Sequence, residues 1–302
     1  APWEVEATVL IPEGLKTKAP GVVLVQGSGD LDRDATFQAV KPMKDIAEAL
    51  ALNGVASIRF DKRTLVNYEL CTPEYFESFT INEDLVEDAL FATEAIKGFE
   101  EVDSNKIFLL GHDLGASISP YIAQTVTTPY AGIIAISGTP INMLEIIKTQ
   151  NLSLLNKLQG QELSQAINEK LPEIEKADRI STITENEAKK LQVFGKPMYY
   201  FYDMQKLNMG KIASELTAPM LILQGGRDFQ INNEIGYNSW KKVLFNKENV
   251  KYKKYPMLNH MMMEYKGDLA FERTIEEYTV PANVDSEVIN DILLWIQEII
   301  KE

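Results

Sequence analysis

The chain has 302 residues, 45% of them apolar and 25% charged, with a formal net charge of −14. That length fits one large α/β domain, or a core domain carrying an insertion. The acidic balance excludes nucleic acid and anionic membrane surfaces as partners, and the longest apolar run, Gly21-Val-Val-Leu-Val25, is too short to span a bilayer.

In chain order, short β-branched apolar runs predict strands at 5–11 and 22–26, and apolar residues at helical spacing predict a helix at 42–52. A strand at 56–60, a helix at 82–97 and a strand at 106–110 follow. Next come a helix at 116–126, whose Pro120 is expected to strain or kink its first turns, and a strand at 132–137. The alternation then stops for nearly 80 residues rich in Leu, Lys, Glu and Gln, without strand patterns. It resumes with strands at 220–224 and 250–255 and helices at 234–244 and 287–300. Such alternation is the signature of a mainly parallel central sheet flanked by helices. The expected organisation is a core made of residues 1–140 and 216–302, with 141–215 as a helical cap insertion. The aromatic tail of that insertion, Pro197-Met-Tyr-Tyr-Phe-Tyr-Asp203, has two open readings: a pocket roof, or packing of cap against core.

The most informative stretch is Lys106-Ile-Phe-Leu-Leu-Gly-His-Asp-Leu-Gly-Ala116, an apolar strand running into Gly111-His112-Asp113-Leu114-Gly115. It has the form of a nucleophile elbow, with aspartate where most such elbows carry serine. Small residues two positions either side of the nucleophile allow the close backbone approach of a tight strand-to-helix turn. The side chain of Asp113 is thereby presented to a substrate.

An elbow of this kind needs an acid and a histidine later in the chain. The chain has only two histidines. His112 adjoins the elbow residue, points elsewhere and is read as structural, which leaves His260 in Leu258-Asn-His260. The acid is Asp228, where a strand ends in Leu223-Gln-Gly-Gly-Arg-Asp228; a carboxylate there can fix the imidazole tautomer and stabilise its charged form. Two N–H donors for a developing oxyanion are expected from Leu114 and from Ser28, with Gly29 as fallback in Gly27-Ser28-Gly29. That loop has neither a G-x-G-x-x-G nor a Walker pattern, so phosphate binding is a weak reading.

Together these residues resemble an α/β-hydrolase, and more closely the bacterial esterase-D-like carboxylesterases related to dienelactone hydrolases and prolyl-oligopeptidase-type acylhydrolases. The resemblance runs from about residue 5 to 300. It takes in Gln26-Gly-Ser-Gly29, Asp32-Arg-Asp34, Arg59-Phe-Asp-Lys-Arg63, the elbow, Leu223-Gln-Gly-Gly-Arg-Asp-Phe229, Leu258-Asn-His260 and Glu277-Tyr-Thr-Val-Pro281. It implies a serine hydrolase acting on small-molecule carboxylic esters, with a catalytic triad and oxyanion hole and without metal or cofactor. Asp61, Lys62 and Arg63 are read as a structural charge cluster.

The departure is Asp113 itself, together with Ala116 where the family often has a second glycine. A carboxylate cannot run the serine mechanism: attack on an ester carbonyl gives an anhydride, and the added negative charge holds His260 protonated. Three readings follow. The first is an esterase scaffold that Asp113 has made inactive, naturally or by engineering. The second is an aspartate nucleophile for alkyl carbon, as in epoxide hydrolases and dehalogenases, with Tyr199, Tyr200 or Tyr202 polarising an epoxide oxygen. The third is a non-catalytic binding protein of the same fold.

Met257, Met261, Met262 and Met263 flank His260 and read equally as a soft substrate pocket or as core. Nothing in the chain specifies an oligomeric state. The single cysteine, Cys71, excludes an intrachain disulfide and leaves cytoplasmic and secreted locations open, the former preferred. The opening Ala1-Pro2-Trp3 has neither initiator Met nor signal peptide, as expected of a mature or trimmed form lacking a leader or upstream domain.

Overall fold

The computed structural model describes residues 3–267 and 274–301. Ala1 and Pro2 of the opening tripeptide, and residues 268–273 and 302 of the expected core, lie outside the described residues.

The described strands are β1 (Ala7–Leu10), β2 (Ala19–Val25), β3 (Ala56–Phe60), β4 (Val102–His112), β5 (Gly132–Ile136), β6 (Gln192–Val193), β7 (Lys196–Pro197), β8 (Met220–Gly225) and β9 (Val250–Tyr255). Between them lie helices α1 (Pro42–Leu52), α2 (Arg63–Val66), α3 (Pro73–Phe76), α4 (Glu87–Lys97), α5 (Leu114–Thr125), α6 (Met143–Leu155), α7 (Gly160–Asp178), α8 (Glu185–Ala188), α9 (Met198–Met204), α10 (Met209–Glu215), α11 (Ser239–Val243), α12 (Thr274–Glu277) and α13 (Ser286–Ile299). Seven strands form one sheet in the order β1-β3-β2-β4-β5-β8-β9, parallel throughout except for β1.

Burial explains the strand sequences. Every residue of β2, β3, β5 and β8 is buried, as a parallel sheet covered on both faces requires, and these strands are near-continuous apolar runs. At the edge, β9 turns Lys251 and Lys254 outward, which discourages pairing with another chain. One face is covered by α1, which starts with Pro42 at its first position and buries Met43, Ile46, Ala47 and Leu50, and by α13 through Val288, Ile292, Trp295 and Ile296. The other face is covered by α4 and α5, with Ile96, Ile118 and Ile122 in its core.

Several expected boundaries shift. β4 begins four residues early at Val102 and runs on to His112, and α5 begins at Leu114 rather than 116. The expected helices at 82–97 and 234–244 each open with a π-helical turn, Asn82–Val86 and Glu234–Asn238, before α4 and α11. The stretch read as free of strands contains the small hairpin β6–β7. The strain expected at Pro120 is met locally. α5 runs unbroken, and Ser119 Oγ donates at 2.8 Å to the Ala116 carbonyl, the acceptor that the missing Pro120 amide leaves free.

The strand order places the site. The chain leaves β2 for β3 on one side and returns to β4 on the other, so the segments following β2 and β4 diverge at the carboxyl edge of the sheet. Open parallel sheets bind ligands at such a switch point. Gly27–Gly29 and Asp113 meet there.

Candidate active site

Asp113 occupies the turn between β4 and α5 at φ 53° and ψ −116°. This is a left-handed conformation that costs an ordinary residue about 1–3 kcal/mol. Main-chain bonds hold it: the Asp113 amide donates to the Ile136 carbonyl at 3.0 Å, and the Ser117 amide donates to the Asp113 carbonyl at 2.9 Å. A Cβ on Gly111 would overlap the Gly115 carbonyl, and one on Gly115 would overlap the Val25 carbonyl. Both glycines are therefore demanded by space, as the elbow pattern predicts.

The Asp113 carboxylate is already engaged. Its Oδ2 accepts from the Ser28 amide at 2.9 Å and from Ser28 Oγ at 3.0 Å. Its Oδ1 lies 3.8 Å from His260 Nε2. On the far side of the ring, His260 Nδ1 lies 2.9 Å from Asp228 Oδ2. Asp228 is itself fixed: Gln224 Nε2 donates to Oδ2 at 2.9 Å, and the amides of Gln230 and Ile231 donate to Oδ1 at 3.0 and 2.8 Å. The structure thus brings Asp113, His260, Asp228 and Ser28 into one connected array, with Leu114 at the start of α5 beside it.

Electrostatics follow from that array. Burial penalises the Asp113 anion, but the charge of His260 and then His112, with the Ser28 and Leu114 amides, outweighs it and lowers its pKa. Burial alone would also depress His260. The charge and hydrogen bond of Asp228, followed by the charges of Asp113 and Glu277, instead lift it to about 9. His112 goes the other way: burial, and then the charge of His260, drop it to about 4. Its Nε2 donates to the His260 carbonyl at 2.9 Å, which gives the structural histidine its task. Ser137 Oγ donates to the same carbonyl at 2.8 Å.

Comparison with known proteins bears on this arrangement. The chain matches no family model. It is 36% identical over 288 residues to Esterase EstD of Thermotoga maritima, a match covering 95% of this chain and 64% of the relative's own length. In solved structures it is similar to Est1E from Butyrivibrio proteoclasticus, with TM-score 0.61 and 14% identity, covering 99% of this chain and 96% of the other. It is also similar to a proline iminopeptidase of Mycobacterium smegmatis, with TM-score 0.57 and 12% identity over the same shares of the two chains. The fold is that of the α/β-hydrolases.

An open pocket lies over Asp113. Ser28, Leu114, Ser117 and Thr139 line its floor, and Ile118, Met143, Ile146, Ile147, Met204, Leu207 and Met209 its apolar walls. Among the described residues of the lining, Asp113 alone is charged. Among the described residues no cluster of His, Cys, Asp and Glu could hold a metal ion, and no helix is long and apolar enough to cross a membrane.

Packing decides two readings that the sequence leaves open. The aromatic run 197–203 does not line the pocket. Tyr200 stacks on Phe79 and donates to Asp84 at 2.7 Å, while Tyr199 and Tyr202 stack on each other beneath Lys189 and Lys206. The methionines flanking His260 do not line it either: Met262 and Met263 are core, Met261 packs on that core and Met257 is largely exposed. Asp61, Lys62 and Arg63 are structural charges, each buried in an ion pair with another segment. Each reaches outward, to Arg33, to Asp84, and to Asp88 and Glu87 respectively.

Sequence reasoning missed the Ser28 hydroxyl, Gln224, and the link from Gln150 Nε2 on α6 to the Gln230 carbonyl at 2.8 Å. A motif identifies Asp228, but nothing local marks a glutamine as its anchor.

Proposed function

We propose that this chain is a carboxylic ester hydrolase scaffold whose nucleophile position is filled by Asp113, leaving it inactive on esters as it stands. One observation carries the reading: the Ser28 amide donates to the carboxylate of residue 113, and the Leu114 amide also bonds it, so donors suited to an oxyanion are taken up by the protein's own anion. A serine at 113 carries no such anion, so both amides stay open for the carbonyl oxygen of a substrate. His260 then takes the serine proton through Nε2 and returns it to the departing alcohol, and Asp228 stabilises the imidazolium through Nδ1. Asp113 adds its charge to that of Asp228 in holding the imidazole protonated, and a protonated imidazole cannot act as a base.

The esterase name of the relative that is 36% identical supports the same reaction class. Residues 141–215 act as the cap over a core of 1–140 and 216–302. This division is supported by the place of α6–α10 between β5 and β8, and by the apolar wall that α6, α9 and α10 lend the pocket. The substrate is a small neutral ester, since the lining offers no cation to a charged one.

A second reading has one observation in its favour. Asp113 lines the pocket as a carboxylate, with Oδ1 3.8 Å from His260 Nε2, as a nucleophile for an alkyl carbon would. The lining holds neither Tyr nor Trp to polarise an epoxide oxygen or hold a halide, which weighs against it.

Hydrolysis of p-nitrophenyl acetate and butyrate by the chain and by Asp113→Ser tests the proposal. Turnover by the variant alone is expected. If neither turns over, the ester reading falls.

A further inference from the structure

The segment Glu277-Tyr-Thr-Val-Pro281 carries part of the family resemblance yet has no part in the reaction described above. Its first residue lies against the turn that presents His260. Glu277 Oε2 accepts from Asn259 Nδ2 at 3.0 Å. Asn259 is buried, and its Oδ1 accepts from the amides of Met261 and Met263 at 3.0 and 3.1 Å. The Asn259 amide donates to the Met263 carbonyl at 2.9 Å, and the Met262 amide donates to the Asn259 carbonyl at 3.1 Å. Every one of these bonds closes the turn in which His260 sits, and Met262 adopts φ 59° there. Asn259 is thus the hub of the turn, and Glu277 is the side chain that fixes the orientation of its amide.

We propose that Glu277 is a positioning residue of this site: it holds Asn259, and through it the His260 turn, while setting a third negative charge beside the imidazole. Four groups face His260: Asp228 from the loop after β8, Asp113 from the elbow, His112 from the end of β4 and Glu277 from α12. Glu277 is faced in turn by Asp228, His260 and Tyr278. It is half-buried, and burial and then the charge of Asp228 raise its pKa against the opposing pull of Asn259 and His260. A carboxyl held there against desolvation and a like charge is costly, and a glutamine would serve Asn259 equally well. What a glutamine would lack is the charge, which adds to those of Asp228 and Asp113 on the histidine whose turn Asn259 closes.

The kinetic arm of the test rests on the ester reading above; the titration arm does not. In the unaltered chain, imidazole signals followed by NMR against pH distinguish the two histidines, because one is displaced upward and the other downward. Glu277→Gln keeps an oxygen for Asn259 and removes the charge. It is expected to lower the His260 midpoint by about half a pH unit. In the Asp113→Ser background, Glu277→Gln keeps kcat near its parent value and moves the acidic limb of the pH profile down. Glu277→Ala moves the same limb and also cuts kcat roughly 10- to 100-fold through a misplaced imidazole, with KM little changed.

An unmoved His260 midpoint in Glu277→Gln overturns the charge role, and an unchanged kcat in Glu277→Ala overturns the positioning role. Should Glu277→Gln fail to fold, Glu277→Asp replaces it: a retained high midpoint with reduced kcat supports the proposal, and an unchanged kcat refutes it. If Asp113→Ser proves inactive on every ester, the ester reading fails, while the titration of the unaltered chain still decides the role of Glu277.

Discussion

Nε2 of His112 donates to the carbonyl oxygen of His260, so the only two histidines of the chain are joined through one backbone group. Their rings stand 4.7 Å apart, centre to centre, and tilted by 60°. The bond requires a proton on Nε2, and burial, which lowers the pKa of the ring, keeps His112 neutral. Replacing His112 by Phe leaves the His260 carbonyl to Ser137 alone. The expected cost is about 1–3 kcal/mol in a urea unfolding midpoint, together with reduced activity in the Asp113→Ser background. A variant as stable and as active as its parent would refute the linkage.

The two histidines pull stability in opposite directions along the pH axis. His260 is raised from 6.5 to about 9, so its contribution is complete below pH 6.5 and is lost as pH climbs through 9. His112 is lowered from 6.5 to about 4, so its contribution is present above pH 6.5 and is lost as pH falls through 4. Asp113, lowered from 3.8, adds a loss at still lower pH. Thermal unfolding followed between pH 4 and 10 should peak near pH 6.5 and decline on both sides. Asp113→Asn removes an anion from His260 and should flatten the alkaline decline; an unaltered decline would show that the pair contributes nothing.

The elbow glycines permit no side chain. Gly115→Ala forces a methyl group into the Val25 carbonyl, and backbone cannot yield as a flexible side chain can. A loss of about 3 kcal/mol or more is expected, or failure to fold. A soluble Gly115→Ala protein with parental stability would show that the turn is looser than described.

Tyr200 ties the segment between β5 and β8 to the core through Asp84, which also pairs with the fully buried Lys62 at 2.7 Å. Tyr200→Phe should lower stability by about 1 kcal/mol without touching the pocket floor. Lys62→Met leaves Asp84 the Tyr200 hydroxyl but removes its counter-charge, and should cost more, about 3 kcal/mol. Equal effects of the two, measured in the same denaturant series, would argue against the shared carboxylate.

Much of this architecture was legible because it is written in local pattern. The elbow, the glycine loop after β2 and the Gly-Gly-x-Asp turn after β8 each announce themselves within a few residues, and histidine scarcity singled out His260. What escaped depends on neighbours distant in sequence. Nothing near Tyr200 indicates that its hydroxyl reaches a carboxylate 116 residues away, so the same ring reads equally as pocket or as packing. The methionines beside His260 read equally as pocket or core, and the turn that presents the imidazole sends Met262 and Met263 into the core. The pocket walls come instead from ordinary Ile, Leu and Met residues on α5, α6, α9 and α10, whose helical spacing says only that they are covered. The π-helical openings of two helices also left no mark in the apolar spacing.

The turn at Asp113 is held by its own amide and carbonyl, and by two glycines that leave the backbone no alternative path. None of these restraints involves the side chain at 113. The position therefore works as an interchangeable socket: the backbone path is set without reference to the side chain it presents, so that side chain can be exchanged while the turn stays in place.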